Sequence, residues 1–245
     1  MTDPFLSLII PAYNEEARLP QALQEVLGFL AKQAYTAEIL VVENGSRDRT
    51  WQIAQDFAAR YPQVRAIQNL RRGKGLAVQY GMLEGRGAYR FMCDVDFSMP
   101  VTEINRFLPP LLPEADIAIA SREAPGSVRY NEPQYRHLVG RVYNLMIRLL
   151  ALPGLQDTQC GFKCFRGQVA DEIFRLQTLP GWSFDVEVLF VARRRGYHIV
   201  ELPIPWNFNA QSKVRVLHDS LRMALDLFAI RLNAVRGAYD RSTAG

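Results

Sequence analysis

The 245-residue chain carries 49% hydrophobic residues and a formal net charge of +4. It is long enough to bury a sizeable core as one large α/β domain or two small ones. The mild positive charge fits an anionic substrate or membrane surface without requiring either. Three cysteines, Cys93, Cys160 and Cys164, are odd in number, and no second pair or nearby histidine completes a zinc site. Reduced thiols in a cytosolic protein are therefore expected. No stretch reaches about 18 uninterrupted apolar residues, which excludes a predicted transmembrane helix, and no signal peptide is evident. The expected location is cytoplasmic, with peripheral contact on the inner face of a membrane as an open addition.

Residues 6–10 read as a continuous apolar strand closed by Pro11. Residues 15–33 have helical periodicity. Strand and helix then alternate over 38–42, 47–60, 64–68, 74–84 and 89–93, and a further strand is predicted at 116–120. This alternation predicts a parallel sheet covered on both faces. Ligands of such sheets bind at the carboxyl ends of the strands, where Asn14-Glu15, Glu43-Asn44 and Asp94 fall. In the second half a helix is predicted over 134–152, a turn-and-strand segment over 157–166, a helix over 184–194, a strand over 197–204 and a long helix over 217–236. A division near residue 121 separates two lobes of one unit.

Each polar motif admits a functional and a plainer reading. Pro11-Ala-Tyr-Asn-Glu15 places a carboxylate where a base or ribose can donate to it, or starts a helix with Asn14 as N-cap. In Val41-Val-Glu-Asn-Gly-Ser-Arg-Asp-Arg-Thr50, Glu43 or Asn44 accepts from a nucleobase N–H while Asp48 supports the loop. Otherwise Ser46 or Asp48 caps the next helix. In Asn69-Leu-Arg-Arg-Gly-Lys-Gly75, two glycines permit close backbone approach, the helix N-terminus favours an anion and Lys74 adds charge. The Walker A spacing is absent. Asp94-Val-Asp96 ends a strand with acids at i and i+2. Such a pair can share one hard divalent cation, Mg²⁺ or Mn²⁺, with phosphates completing the shell, or can lie in a solvated turn.

Together, in this order, these motifs resemble the family 2 glycosyltransferases of the GT-A fold. Among them the match is to the polyprenyl-phosphate (dolichyl-phosphate) hexosyltransferases, glucosyl-transferring ahead of mannosyl-transferring. The similarity runs from Leu6 to about Arg236. It includes Ser121-Arg122, Asp157-Thr-Gln-Cys-Gly-Phe-Lys163, Trp182-Ser-Phe-Asp-Val-Glu187, Glu201-Leu-Pro-Ile-Pro-Trp206 and Ser212-Lys-Val214.

The resemblance implies a mainly parallel α/β sheet with a nucleotide-sugar-binding half (1–120) and an acceptor-binding half (121–245). Pro11, Tyr13, Glu15, Glu43, Asn44, Asp48, Lys74 and Asp94 would hold the nucleotide, and Asp94 and Asp96 a Mg²⁺ or Mn²⁺ ion. Arg122 and Arg136 would bind the acceptor phosphate. Two departures stand out. Glu43-Asn44 replaces the family's Asp-Asp, which leaves the base open, and Val95 replaces Ala within the metal motif. The Gln-x-x-Arg-Trp signature of processive synthases is absent, so transfer of one sugar is expected. UDP-glucose is favoured as donor over GDP-mannose, polyprenyl phosphate is the expected acceptor, and no nucleic acid partner is expected.

A lipid phosphate is already anionic at pH 7 and needs no base, whereas a hydroxyl acceptor needs a carboxylate. Asp157 and Asp185 are candidates for that base or for structural bracing, and Glu187 reads as structural. Lys213 either closes over phosphates or faces solvent. A GT-A transferase acting on a soluble or protein hydroxyl, and a nucleotidyltransferase, remain alternatives. In the 134–152 helix, Leu138, Val142, Leu145 and Leu149 form one stripe opposite Tyr143 and Ile147, while Arg141, Asn144 and Arg148 gather on a narrow face. The final helix repeats this character with Leu217, Leu221, Leu225, Phe228 and Leu232. Each helix lies against lipid on one side, or is a core helix with a basic edge.

Overall fold

The computed structural model describes residues 3–96, 98–209 and 216–240. In chain order the elements are β1 (Leu6–Ala12), α1 (Leu19–Leu30), β2 (Ala37–Glu43), α2 (Thr50–Arg60), β3 (Val64–Gln68), α3 (Lys74–Glu84) and β4 (Tyr89–Cys93). After a 3₁₀ helix (Val101–Phe107) come β5 (Ile117–Ser121), β6 (Val128–Tyr130), α4 (Gln134–Leu150), β7 (Phe162–Arg166), α5 (Gly167–Leu176), α6 (Phe184–Arg194), β8 (Ile199–Pro203), β9 (Pro205–Asn207) and α7 (Val216–Val235).

Seven strands form one sheet in the order β3-β2-β1-β4-β7-β5-β8. β1 pairs in parallel with β2 and β4, β2 with β3, and β5 with β8. Only β7 runs antiparallel, between β4 and β5. The sheet is thus mainly parallel, and it draws strands from both halves of the chain. β6 and β9 pair in a separate two-stranded ribbon.

Period-2 alternation distributes the apolar side chains to two cores. Ile9, Leu40, Val42, Met92, Ile117, Ile119 and Phe165 face α3, α5 and α6. Leu8, Ile10, Ile39, Val41, Phe91, Ala118 and Phe162 face α1, α2 and the 3₁₀ helix. Helix α3 approaches β1 and β2 closely at Gly81, where a Cβ would lie 2.5 Å from Ile9 Cγ2 and 2.9 Å from Val42 Cγ2. Phe91, Phe107 and Phe162 pack edge-to-face, with centroids 4.6 to 5.5 Å apart.

The first helix begins at Leu19, not at residue 15, because Asn14 to Arg18 form a loop bonded to the segment after β2. For the same reason α2 begins at Thr50. The strand expected over 197–204 is found as β8, and α5, β6 and β9 were not anticipated. The helical signal for α5 was present in Val169, Ala170, Ile173 and Phe174, all buried. Cys93, Cys160 and Cys164 are free and buried, and burial holds their thiols in the protonated form.

Candidate active site

At the carboxyl ends of β1, β2, β4 and β5 lies a cleft of about 910 Å³. Its first wall comes from two loops that grip each other. Asn14 adopts φ 51°. Its amide donates to Ser46 Oγ at 3.0 Å, and its Oδ1 accepts from the Arg47 amide at 2.8 Å. The Glu15 amide donates to Thr50 Oγ1 at 2.7 Å, and the Glu16 amide to Asp48 Oδ2 at 3.1 Å. Asn14 is therefore a loop-to-loop brace and not a helix cap. Partial burial pushes the Asp48 carboxyl up, but hydrogen bonds from Thr50 and the Glu16 amide outweigh it and hold the group below its usual range. Asp48 braces the loop and does not line the cleft.

Pro11, Tyr13, Glu15 and Asn44 line the cleft. Both Glu15 carboxylate oxygens accept from the Arg18 guanidinium, at 2.7 and 2.8 Å. Arg72 lies 5.7 Å from the Tyr13 ring centroid. Glu43 is buried behind the wall, accepting from the Ser46 amide and from Gln68 Nε2 at 3.0 Å. Its neighbour Asn44 is also buried, and its Oδ1 has no hydrogen-bond partner among the described residues. A buried acceptor at a cleft wall is costly unless a donor meets it. Of the Glu43-Asn44 pair, Asn44 is thus the one available to a ligand N–H.

The cleft floor holds Lys74, Asp94 and Asp96. Lys74 opens α3 after Gly73, which sits at φ 147°. A Cβ on Gly73 would fall 2.3 Å from the Pro180 carbonyl oxygen, and one on Gly75 would fall 2.7 Å from that of Leu179. The two glycines expected to admit a ligand thus admit the 179–180 backbone instead. That segment is itself held by Glu187, which accepts from the Thr178 amide at 3.0 Å, the Leu179 amide at 2.8 Å and Tyr239 Oη at 2.8 Å. Glu187 is structural, as the sequence suggested.

Lys74 Nζ lies 2.7 Å from Asp94 Oδ1 and 2.8 Å from Oδ2, and 5.2 Å from the Trp182 ring centroid. Burial opposes the lysine's charge, but Asp94, then Asp185 and Asp96, outweigh it and raise its pKa. The Asp94 amide donates to the Gly161 carbonyl at 3.1 Å. A Cβ on Gly161 would fall 2.0 Å from Asp94 Oδ2, so only glycine leaves room for that carboxylate. Asp96 Oδ1 accepts from the Ser98 amide at 3.1 Å. Among the described residues no group of three or more His, Cys, Asp or Glu side chains gathers as a metal cage.

Asp185, in the first turn of α6, also lines the cleft. It is 2.5 Å from Lys163 Nζ, which donates in turn to the Cys160 carbonyl at 2.6 Å. Burial pushes the Asp185 carboxyl up, and Lys163 and then Lys74 reverse only part of that shift. Asp157 is fully buried and does not line the cleft. It accepts from Arg122 Nε at 2.6 Å, Nη2 at 2.9 Å and the backbone amide at 3.0 Å. Burial raises the Asp157 carboxyl, but the Arg122 guanidinium prevails and holds it down at about 2.

Arg122 lines the cleft with its guanidinium carbon 5.4 Å from the Trp206 ring centroid, while that of Arg129 lies 5.7 Å from the same centroid. Arg129, Trp182, Trp206 and Gly161 are among the cleft residues that the sequence analysis gave no role. For Gly161, Trp182 and Trp206 the signal was their place inside the resemblance segments. For Arg129, on the short β6, no sequence signal marked it. Arg136 lies in the first part of α4, with its side chain outside the described atoms, and Lys213 lies outside the described residues.

Fold and cleft define a GT-A-type α/β enzyme. Residues 7–174 match the profile of glycosyl transferase family 2. A dolichyl-phosphate beta-glucosyltransferase of Trichomonas vaginalis is 32% identical over 243 residues, covering 94% of this chain and 72% of that protein. The human dolichyl-phosphate beta-glucosyltransferase is 32% identical over 249 residues, covering 96% and 77%. Among solved structures, mannosyl-3-phosphoglycerate synthase from Rubrobacter xylanophilus superposes with a TM-score of 0.68 at 16% identity, covering 99% of this chain and 77% of that one. Glucosyl-3-phosphoglycerate synthase from Mycobacterium tuberculosis, in complex with Mn²⁺ and UDP-glucose, gives 0.64 at 19% identity, covering 99% and 81%. The structural matches show the shared fold. This chain belongs to glycosyltransferase family 2.

Proposed function

We propose that the chain transfers one hexose, glucose first among the candidates, from a nucleotide sugar to the phosphate of a polyprenyl phosphate, with inversion. UDP-glucose is the favoured donor and GDP-mannose the second. Support comes from the relatives' names and from the state of the candidate bases. Asp157 is buried and paired with Arg122 on both oxygens, and Asp185 is paired with Lys163. Asp157, held down and outside the cleft, is not set up to take a proton from a hydroxyl, and a phosphate acceptor requires no such step.

Residues 1–120 would hold most of the donor. Asn44 Oδ1 would accept from the base N–H, with Pro11, Tyr13 and Glu15 around the base and ribose, and Asp48 and Glu43 bracing their loops. Lys74 would contact the diphosphate. Asp94 and Asp96 are the residues that would hold Mg²⁺ or Mn²⁺. The donor set fits, because two hard carboxylates lie together and an ammonium already stands on Asp94 where a cation belongs. When bound, such an ion neutralises charge on the leaving diphosphate.

Residues 121–245 would supply the acceptor side, with Arg122, which lines the cleft, meeting the lipid phosphate and Arg136 and Lys213 as further candidates. An acceptor phosphate oxygen bonds to the anomeric carbon as the bond to the nucleoside diphosphate breaks, so no proton is transferred.

No helix of the described residues is long and apolar enough to cross a membrane. On α4, Leu138, Val142, Leu145 and Leu149 are each more than half exposed, while Tyr143 and Ile147 are buried. On α7, Leu225 and Phe228 are exposed, and Leu227 and Ile230 are buried. Both helices also border the cleft, through Tyr143, Asn144, Arg222 and Met223. These features support a peripheral position with this face on the bilayer, where the acceptor's lipid resides.

The test is a panel of UDP- and GDP-sugars with Mn²⁺ or Mg²⁺, with and without a short polyprenyl phosphate. Metal-dependent turnover of one donor, stimulated by the lipid and lost in Asp96→Ala, is expected. Turnover without lipid stimulation would move the acceptor to a hydroxyl and Asp185 to the role of base.

A further inference from the structure

We infer that Lys74 is an exchangeable counter-ion: it occupies Asp94 in the empty cleft and passes to the diphosphate when a divalent ion takes its place, so that metal and nucleotide bind as a coupled pair. The inference rests on the two-carboxylate metal reading above and concerns the order in which that site fills.

The geometry carries it. The ammonium contacts both oxygens of Asp94, at 2.7 and 2.8 Å. A divalent ion on that carboxylate would sit about 2.0–2.6 Å from its oxygens, within the space the ammonium fills. The two cations exclude each other sterically, and at that separation in a partly buried site their repulsion far exceeds thermal energy.

The backbone of Lys74 has little freedom, since Gly73 is pressed against the Pro180 carbonyl. The flexible four-carbon side chain, with its ammonium near the face of Trp182, is what can move.

Charge balance points the same way. Asp94, Asp96 and Asp185 place three carboxylates on the floor, against the two ammonium groups of Lys74 and Lys163. The net charge is one negative. A divalent ion alone would reverse that sign, and a diphosphate arriving with it would restore it. Lys74 then has a phosphate to contact as it leaves Asp94. By reciprocity, a nucleotide that draws Lys74 away tightens metal binding, and metal tightens nucleotide binding.

Mn²⁺ binding to the full chain, read by the electron paramagnetic resonance signal of the free ion, tests this without turnover. In the absence of nucleotide, Lys74→Met is expected to bind Mn²⁺ about tenfold more tightly than wild type, a common size for coupling between sites. UDP is expected to enhance Mn²⁺ binding less in that variant than in wild type. Lys74→Arg, which keeps the charge, is expected to follow wild type, and Lys74→Gln gives the same comparison if the methionine variant does not fold. Unchanged or weaker Mn²⁺ binding in a folded charge-neutral variant would overturn the inference. Failure of every protein, wild type included, to retain Mn²⁺ even with UDP would overturn the metal reading beneath it, and this inference with it.

Discussion

Asp94 shows how much of a site is decided by one missing methyl group. Its carboxylate lies in the space a Cβ on Gly161 would take, 2.0 Å from Oδ2. Gly161→Ala is expected to displace Asp94 by about 1 Å, and misplacement on that scale lowers turnover by roughly 100-fold. It should weaken Mn²⁺ binding in parallel, while far-ultraviolet circular dichroism stays unchanged. Full activity in Gly161→Ala would remove Asp94 from the site. At this scale the paired acids, Lys74 and Asn44 were legible as residue types at strand ends. Which member of Glu43-Asn44 faces the cleft was not, because alternation along a strand end names a side without saying what has already bonded each side chain. Gln68 and Ser46 answer that by engaging Glu43. Asp157 likewise read as a base or a brace, and only the position of Arg122 separates the two.

Among the elements, β3, α3, β4 and α6 match their predicted spans, because apolar periodicity and clear Gly or Pro punctuation coincide there. The starts of α1 and α2 were misjudged because their leading residues have helical character but spend their backbone amides on each other's loops. The two apolar helices give the element-scale prediction. For α4 the choice between lipid contact and a core role turns on which face is covered, and the Leu138–Leu149 stripe is the open one. Fully burying one such side chain contributes about 1.5–3 kcal/mol, so a few of them suffice for reversible attachment. Leu145→Glu with Leu149→Glu is expected to abolish co-sedimentation with anionic vesicles. It should change thermal stability little, since both side chains are exposed, and should leave transfer to a short, soluble acceptor intact. Undiminished vesicle binding would place the membrane contact elsewhere.

For the whole molecule, the Arg122–Asp157 pair ties distant segments together. Asp157 precedes β7, Arg122 follows β5, and Glu201 on β8 accepts from the Gln156 and Asp157 amides at 2.8 and 2.9 Å. The folded-state pKa of Asp157, about 2, lies below its ordinary 3.8. Its ionised form therefore stabilises the fold fully above about pH 4, and this contribution is lost as pH falls toward 2. The shift corresponds to about 2 kcal/mol. Asp157→Asn is expected to lower the urea midpoint at pH 7, and the stability gap to wild type should narrow by about 2 kcal/mol between pH 5 and pH 2. A pH-independent gap would mean that the pair is not coupled to folding. The sequence by itself determined the α/β class, the strand-end placement of the polar motifs and the family resemblance, because periodicity, turn chemistry and motif order are local in the chain. The tertiary structure alone decided that β7 crosses back between β4 and β5, that Gly161 makes room for Asp94, and that Asp157 meets Arg122 while Asp185 meets Lys163. Those facts depend on contacts between segments far apart in sequence, and no local pattern specifies which partner a buried charge will meet.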